Sequence, residues 1–183
     1  MNTSIASKAV AIDGVNFYRA YLSLGVIEIN YGKFFGFLKH KIGSVLPIIA
    51  CKATINPDLC NHQLFKDMKK AGIEPVGVCS STGKDDDMVK RWLNQFASQS
   101  NITEIIVASC DHDIIEEAIW LAEFAGERGR IVQMYTIGTE AKCSEGSCQI
   151  GKKTLASIKN CACAHFVELK EVVGKFTYRG NIH

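Results

Sequence analysis

The chain has 183 residues, 47 % of them hydrophobic, with 21 basic against 19 acidic side chains and a formal net charge of +2. That length suits one domain with a sizeable core, and near-neutrality excludes the blanket polycation that coats duplex DNA, so any nucleic-acid contact must be local. Residues 1–8 lack a basic segment followed by a long apolar core, and no apolar run reaches the ~18 residues of a membrane span, so a cytoplasmic protein with no membrane partner is expected.

Short apolar runs alternate with amphipathic stretches throughout, the pattern of βαβ units rather than of a sandwich or a helical bundle. A first strand is predicted near residues 8–13, leading into a helix from about Asn16, and a second helix carries Tyr31 to Leu38. Leu46 to Cys51 reads as the next strand. Asn56-Pro57-Asp58 then opens a helix holding Leu64, Phe65 and Met68, with Gly72 at its end. Strand three is Glu74 to Cys79, followed by the loop Ser80-Ser81-Thr82-Gly83 and a helix from about Asp85 to Ser98. Strand four is Glu104 to Ala108 and its helix runs from about Asp113 to Ala125; Gly126 to Gly129 turns the chain into strand five, Arg130 to Tyr135. Residues 138–151 hold three glycines and two cysteines with little periodicity and read as a mobile loop. A helix over Lys152 to Asn160 and a strand over His165 to Leu169 complete one domain spanning 1–173, with 174–183 as a poorly ordered tail.

Eight cysteines without a secretory segment argue against a disulfide framework. Cys51, Cys79 and Cys110 lie in or beside apolar runs and read as small core hydrophobes. Cys143, Cys148, Cys161 and Cys163, with His165 behind them, have ligand types suited to zinc, but the spacing is poor and reduced thiols are the expectation. Tyr31, Phe34, Phe35 and Phe37 recur at helical spacing and read as a core face rather than a base-stacking platform. Lys39, His40 and Lys41 read as a solvated face, the alternative being that they guide a single strand toward the acidic residues.

The chemistry-bearing pattern is acidic. Asp13 closes Ala9-Val10-Ala11-Ile12, Asp111 and Asp113 follow Ile105-Ile106-Val107-Ala108, and Asp87 lies in Lys84-Asp85-Asp86-Asp87 beyond strand three. If the runs are parallel strands, these carboxylates gather at the carboxyl edge of one sheet, where open α/β sheets bind ligands. Anions crowded there repel one another unless a cation sits among them, so a Mg2+ or Mn2+ site is expected. The bland alternative is that aspartates at helix starts only cap exposed N–H groups. It weighs more for Asp87 and Asp113 than for Asp13 and Asp111, and Asn16 is equally an N-cap. His112, between two aspartates, is expected to face solvent.

Ile12-Asp13-Gly14-Val15-Asn16-Phe17 resembles the opening Asp-Gly-x-Asn-apolar motif of the NYN domains, relatives of the PIN-domain nucleases. Ser109-Cys110-Asp111-His112-Asp113-Ile114 is similar to their Ser-Gly-Asp-x-Asp-Phe motif, and Lys84 with Asp87 to their Lys-x-x-Asp, so the resemblance spans about residues 8–169. It implies a single α/β, three-layer PIN-like domain with a central, mainly parallel sheet. It also implies a metal-dependent endoribonuclease acting on single-stranded RNA, with Asp13, Asp87, Asp111 and Asp113 as catalytic metal ligands. Asn16, Lys84 and Ser109 would contact the substrate. A homo-oligomer is compatible with this reading. The chain departs from the pattern at Cys110, where the family has glycine, at Ile114, where it has an aromatic, and at His165, where Ala164-His165-Phe166 replaces Ala-Asp-Phe. No acidic residue follows Asp87 along the helix at the family's further position. These departures motivate the rival reading, a degenerate NYN domain that binds nucleic acid or a protein partner without turnover. Toprim and haloacid-dehalogenase-like phosphatases are further alternatives, the latter disfavoured because Val15 stands where a second aspartate would be needed.

Overall fold

The computed structural model describes residues 5–57, 62–78, 84–141 and 149–178. Six strands form one parallel sheet: β1 Ser7–Ile12, β2 Ile48–Ile55, β3 Glu74–Gly77, β4 Ile102–Ala108, β5 Gln133–Gly138 and β6 Ala164–Glu168. Their order across the sheet is β3-β2-β1-β4-β5-β6. The helices are α1 Gly14–Ser23, α2 Tyr31–Lys41, α3 His62–Ala71, α4 Lys84–Ser98, α5 His112–Glu127, α6 Lys152–Asn160 and the single turn α7 Leu169–Val172, which runs on into a 3-10 turn, Val173–Lys175. Helix α2 packs on α3, while α4, α5 and α6 pack side by side. The α/β domain is therefore three-layered, as expected from its alternating pattern.

The central strands carry no polar alternation. Ala9, Val10, Ala11 and Ile12 of β1 and Ile105, Ile106, Val107 and Ala108 of β4 are all buried, as strands covered by helices on both faces must be. Beneath them, at the opposite end from the carboxyl edge, lies a buried ion pair. Lys8 is fully buried; its Nζ donates to the carbonyls of Leu38 and Lys39 at 3.5 Å and to that of Ile42, and stands 3.4 Å from Glu104 Oε2. An ammonium at a helix C-terminus satisfies the last carbonyls and opposes the dipole. Glu104 Oε1 accepts the Ser44 N–H at 2.9 Å, holding the turn that leaves α2. Gly43 in that turn has φ +61°, and a Cβ there would lie 2.3 Å from Glu104 Oε2, so both conformation and space require glycine.

Three expectations from local sequence shift. Strand β2 extends to Ile55 rather than stopping at Cys51, and β5 begins at Gln133 rather than Arg130, because parallel pairing sets their positions: β2 pairs with residues 8–12 and β5 with 104–108. Arg130 instead donates from Nη1 to Ala97 O and from Nη2 to Gln99 O, both at 2.6 Å, tying the end of α4. The expected tail from 174 belongs to the domain as far as the described residues reach. Phe176 is fully buried against Phe34 and Phe37, its carbonyl accepts the Asn30 N–H at 2.8 Å, and Thr177 bridges to Ile29. The aromatic face of α2 is core at Phe34 and Phe37, as expected. The supposed helix start at Asp58, the loop 80–83 and most of the loop 138–151 lie outside the described residues.

Removing one partner of a buried ion pair strands the other charge, at a cost of about 3–5 kcal/mol. We expect Glu104→Gln and Lys8→Met each to lower the urea-unfolding free energy by an amount in that range. The double variant Lys8→Met/Glu104→Leu should lose less than the sum of the two.

Candidate functional site

Strand β1 pairs with β4 so that Ile12 faces Ala108, and the pairing continues one residue further: the Asp13 N–H donates to Ala108 O at 3.0 Å. The residues following each strand therefore meet. From β1 the chain connects to β2 on one side, and from β4 to β5 on the other, so the gap between them is the switch point of the sheet, where a crevice opens at the carboxyl ends.

Asp13 is the N-cap of α1 and is buried. Its Oδ1 accepts the Asn16 N–H at 3.2 Å and its Oδ2 accepts the Ser109 hydroxyl at 2.9 Å. Ser109 Oγ in turn accepts the Asp111 N–H at 3.0 Å, and Asn16 Oδ1 accepts the Cys110 N–H at 3.2 Å. Asp111 caps α5, accepting the Asp113 N–H at 2.8 Å and the Ile114 N–H at 3.3 Å. On the other side the Gly14 N–H donates to Thr54 Oγ1 at 2.9 Å. A Cβ on Gly14 would stand 1.8 Å from the Thr54 carbonyl oxygen, so only glycine lets α1 start against β2. The two motif segments are thus one hydrogen-bonded unit.

The first turn of α4 supplies the remaining carboxylates, and here the residue differs from expectation. Asp87 is exposed, whereas Asp86 is half-buried and feels the charges of Asp111 and Asp113. Consecutive helix residues point about 100° apart, and in this run of three aspartates the helix phase leaves Asp85 and Asp86 half-buried and Asp87 exposed. Burial pushes the Asp13 carboxyl up to about 7, against the lowering effect of its two hydrogen bonds, with Asp86 and Asp85 adding to the rise. Asp86 is also raised, by burial first and then by Asp111 and Asp85, with Lys90 opposing. Asp13, Asp86, Asp111 and Asp113 therefore form one electrostatic cluster.

Ser109, expected to contact substrate, is fully buried, and its hydroxyl bridges the Asp13 carboxylate and the Asp111 N–H. Asn16 likewise joins α1 to the segment after β4. Lys84 is exposed at the start of α4, free to meet an anion from solvent. Cys110 lies under the site: its Sγ accepts the Thr139 N–H at 3.4 Å and burial pushes its thiol up to about 12, leaving it an inert packing residue. His112 is exposed, as expected, with Nδ1 2.8 Å from Thr154 Oγ1 and 3.6 Å from Glu116. His165 falls near the start of β6, stacked on Tyr135 and bonded to Gln133 Oε1 at 2.7 Å. Its replacement of aspartate is therefore remote from the carboxyl edge, and the carboxylate at that end of β6 is Glu168, which accepts the Glu140 N–H at 2.9 Å.

Oxygen-only donors suit Mg2+ or Mn2+ rather than thiophilic ions. Among the described residues no three His, Cys, Asp or Glu side chains stand close enough together to hold a metal ion. The cluster fits a hard cation by donor chemistry and charge, and would have to tighten around it. The thiols are a separate matter. Cys51, Cys110, Cys161 and Cys163 are free, and Cys161 and Cys163 bring their Sγ atoms to 2.9 Å. Burial and the neighbouring Cys161 push the Cys163 thiol up to about 12, so it remains protonated. Cys143 and Cys148 lie outside the described residues.

No family model matches the sequence, and no curated protein matches it. Among solved structures the chain is similar to a protein of unknown function from Vibrio parahaemolyticus RIMD 2210633, at 16 % identity and a TM-score of 0.63 over 97 % of this chain and 99 % of that one. That likeness shows a shared α/β architecture along nearly the whole chain. No described helix is long and apolar enough to cross a membrane.

The Asp13 displacement has a defined pH signature. Its ordinary value is 3.8 and its folded value about 7. Between these the folded chain keeps a proton that the unfolded chain has released, so the Asp13 contribution to stability falls as pH rises and is fully lost above about pH 7. Asp13→Asn removes the charge and keeps the shape. We expect this variant to be more stable than the parent at pH 8 by up to ~4 kcal/mol, at ~1.4 kcal/mol per pKa unit, with the advantage gone near pH 4. Urea midpoints at pH 4, 6 and 8 measure it.

Proposed function

We propose that the protein is a Mg2+- or Mn2+-dependent nuclease that hydrolyses phosphodiester bonds in single-stranded RNA. The observation that carries this reading is the buried Asp13 at the sheet's switch point, raised to about 7 and sharing its field with Asp86. Asp86 in turn is raised by burial first, then by Asp111, Asp85 and Asp113. Carboxylates with raised pKa values that feel one another's charge at a sheet's switch point are a mark of functional sites. Asp13, Asp86, Asp111 and Asp113 would hold the ion. When bound, a divalent cation supplies a water acidified to a nucleophile and relief of charge on the scissile phosphate.

The chain's own residues do the rest. The Ser109 hydroxyl and the Asn16 N–H fix the Asp13 carboxylate in one orientation. A bound cation would offset the burial that raises the Asp13 carboxyl and favour its charged form. Lys84, exposed at the head of α4, offers a point charge to the phosphate backbone, whereas Lys39, His40 and Lys41 lie exposed at the end of α2, at the opposite end of the sheet from the acidic cluster. The near-neutral charge of the whole favours a local contact with a single strand over a duplex-wide one. The metal-free spacing of the carboxylates favours one rival, a domain of this type that binds RNA without cutting it.

Purified protein should cleave a labelled single-stranded RNA in Mn2+ or Mg2+ and lose that activity on chelation. Asp13→Asn, Asp86→Asn and Asp111→Asn should abolish cleavage, while Asp87→Asn should retain it. By titration calorimetry, Asp111→Asn should bind Mn2+ at least ~10-fold more weakly, the equivalent of ~1.4 kcal/mol. Binding of RNA with no cleavage in any ion would establish the rival.

A further inference from the structure

A cavity of about 370 Å³ opens beside the acidic cluster, on the β2 side of the switch point. Its floor is Ile12 and Ile55, the ends of the two strands, together with Gly14, the residue next to Asp13. Residues of α1 and α2, Leu64 and Met68 of α3, and the 27–29 segment wall it. The Gly14 N–H is bonded to Thr54 Oγ1, and both residues line the cavity. Gly14 follows Asp13 directly in the chain, so the cavity adjoins the start of α1 that Asp13 caps.

The lining is largely apolar and aromatic, and among the described residues none closes its mouth. Tyr18, Leu22 and Ile27, three of the large hydrophobic residues left exposed, all line it, at 44 %, 38 % and 62 % exposure. Clustered exposed apolar side chains mark a ligand or partner site more often than scattered ones do. The Tyr18 ring meets Tyr21 edge-on at 5.3 Å, Tyr21 meets Phe17 at 5.8 Å, and Phe17 stacks on Phe34 at 5.2 Å. The exposed ring thus rests on an aromatic column that runs into the core and holds it rigid. Arg19 and Glu28, both exposed, add one cation and one acceptor to the lining.

We infer that this cavity binds a nucleobase, stacked on Tyr18, of a nucleotide whose phosphate lies toward the acidic cluster. The inference rests on the proposed nuclease reading and names the part of the substrate that the carboxylates cannot recognise. A planar heteroaromatic ring matches the aromatic mouth, because every base offers a π-face to a tyrosine. The cavity's volume lies within the usual ~300–1,000 Å³ for small-molecule sites. An acceptor such as Glu28 suits the exocyclic amines and ring N–H groups that bases carry and aliphatic ligands lack. The phosphate would lie outside the cavity, toward the Asp13 end of α1.

Saturation-transfer NMR on the intact chain, without divalent ion, with adenosine, guanosine, cytidine and uridine as uncharged probes, tests the inference. At least one nucleoside should receive saturation, strongest on its base protons. Its Kd should rise about tenfold or more in Tyr18→Ala, the scale of one lost stacking contact, and stay within about twofold of the parent in Tyr18→Phe, which keeps the ring. Tyr18 is exposed, so both variants should keep the parent's thermal midpoint and circular dichroism. No saturation with any nucleoside, or equal affinity in the parent and Tyr18→Ala, overturns the inference. Because the probes have no phosphodiester and the measurement no metal, the result is independent of whether the chain cleaves RNA.

Discussion

The pairing of β1 with β4 is the constraint on which the rest depends. Ile12 and Ala108 are far apart in sequence, yet their register, continued by the bond from the Asp13 N–H to Ala108 O, places two helix starts side by side. Every contact of the acidic site follows from it. Ser109 reaches Asp13, Asn16 reaches Cys110, and the α4 aspartates come to face both. The far end of the same two strands is held by Lys8 and Glu104, whose buried pair also fixes the end of α2. One strand pair therefore carries a structural ion pair at one end and an unbalanced group of anions at the other.

The two ends are electrostatic opposites. Lys8 and Glu104 neutralise each other, and carbonyls and an amide satisfy much of what remains. Asp13 has hydrogen bonds, but among the described residues no cation offsets its burial, and the charges that it feels, Asp86 and Asp85, are also acidic. Buried like charges lower stability above their shifted pKa, and such a cost persists where something outside the fold relieves it. A divalent ion, a proton or a bound phosphate-ion complex would each do so. The aromatic cavity beside Gly14 gives the same region a second, apolar character. An acidic group and an aromatic cavity flank the start of one helix.

Much of this was legible in the sequence. Uniformly apolar runs alternating with amphipathic ones imply a covered parallel sheet with helices on its faces, because no other arrangement buries both kinds of segment. The junctions of the first and fourth strands stood out because aspartate, glycine and asparagine there have clear capping and turn roles. Less legible were the ends of β2 and β5, since parallel pairing is non-local and the flanking residues carry no strong stop signal. Phe176 was unreadable for a related reason: a lone aromatic after a glycine looks like tail until its partners, Phe34 and Phe37, are known.

The carboxylate from α4 divides what each level decides. The run Lys84-Asp85-Asp86-Asp87 announces an acidic helix start, and composition alone determines that negative charge will be delivered there. Which aspartate turns inward depends on the rotation of α4 against the sheet, set by Val89, Trp92, Leu93 and Phe96 packing in the core. Likewise, the sequence by itself determined that Asp13 ends a buried strand, but only the tertiary structure decided that its carboxyl would be raised to about 7. Burial and the field of Asp86 and Asp85 are properties of distance. Local sequence specifies backbone conformation and hydrophobic pattern, whereas charge coupling arises from residues brought together by a pairing made across the whole chain.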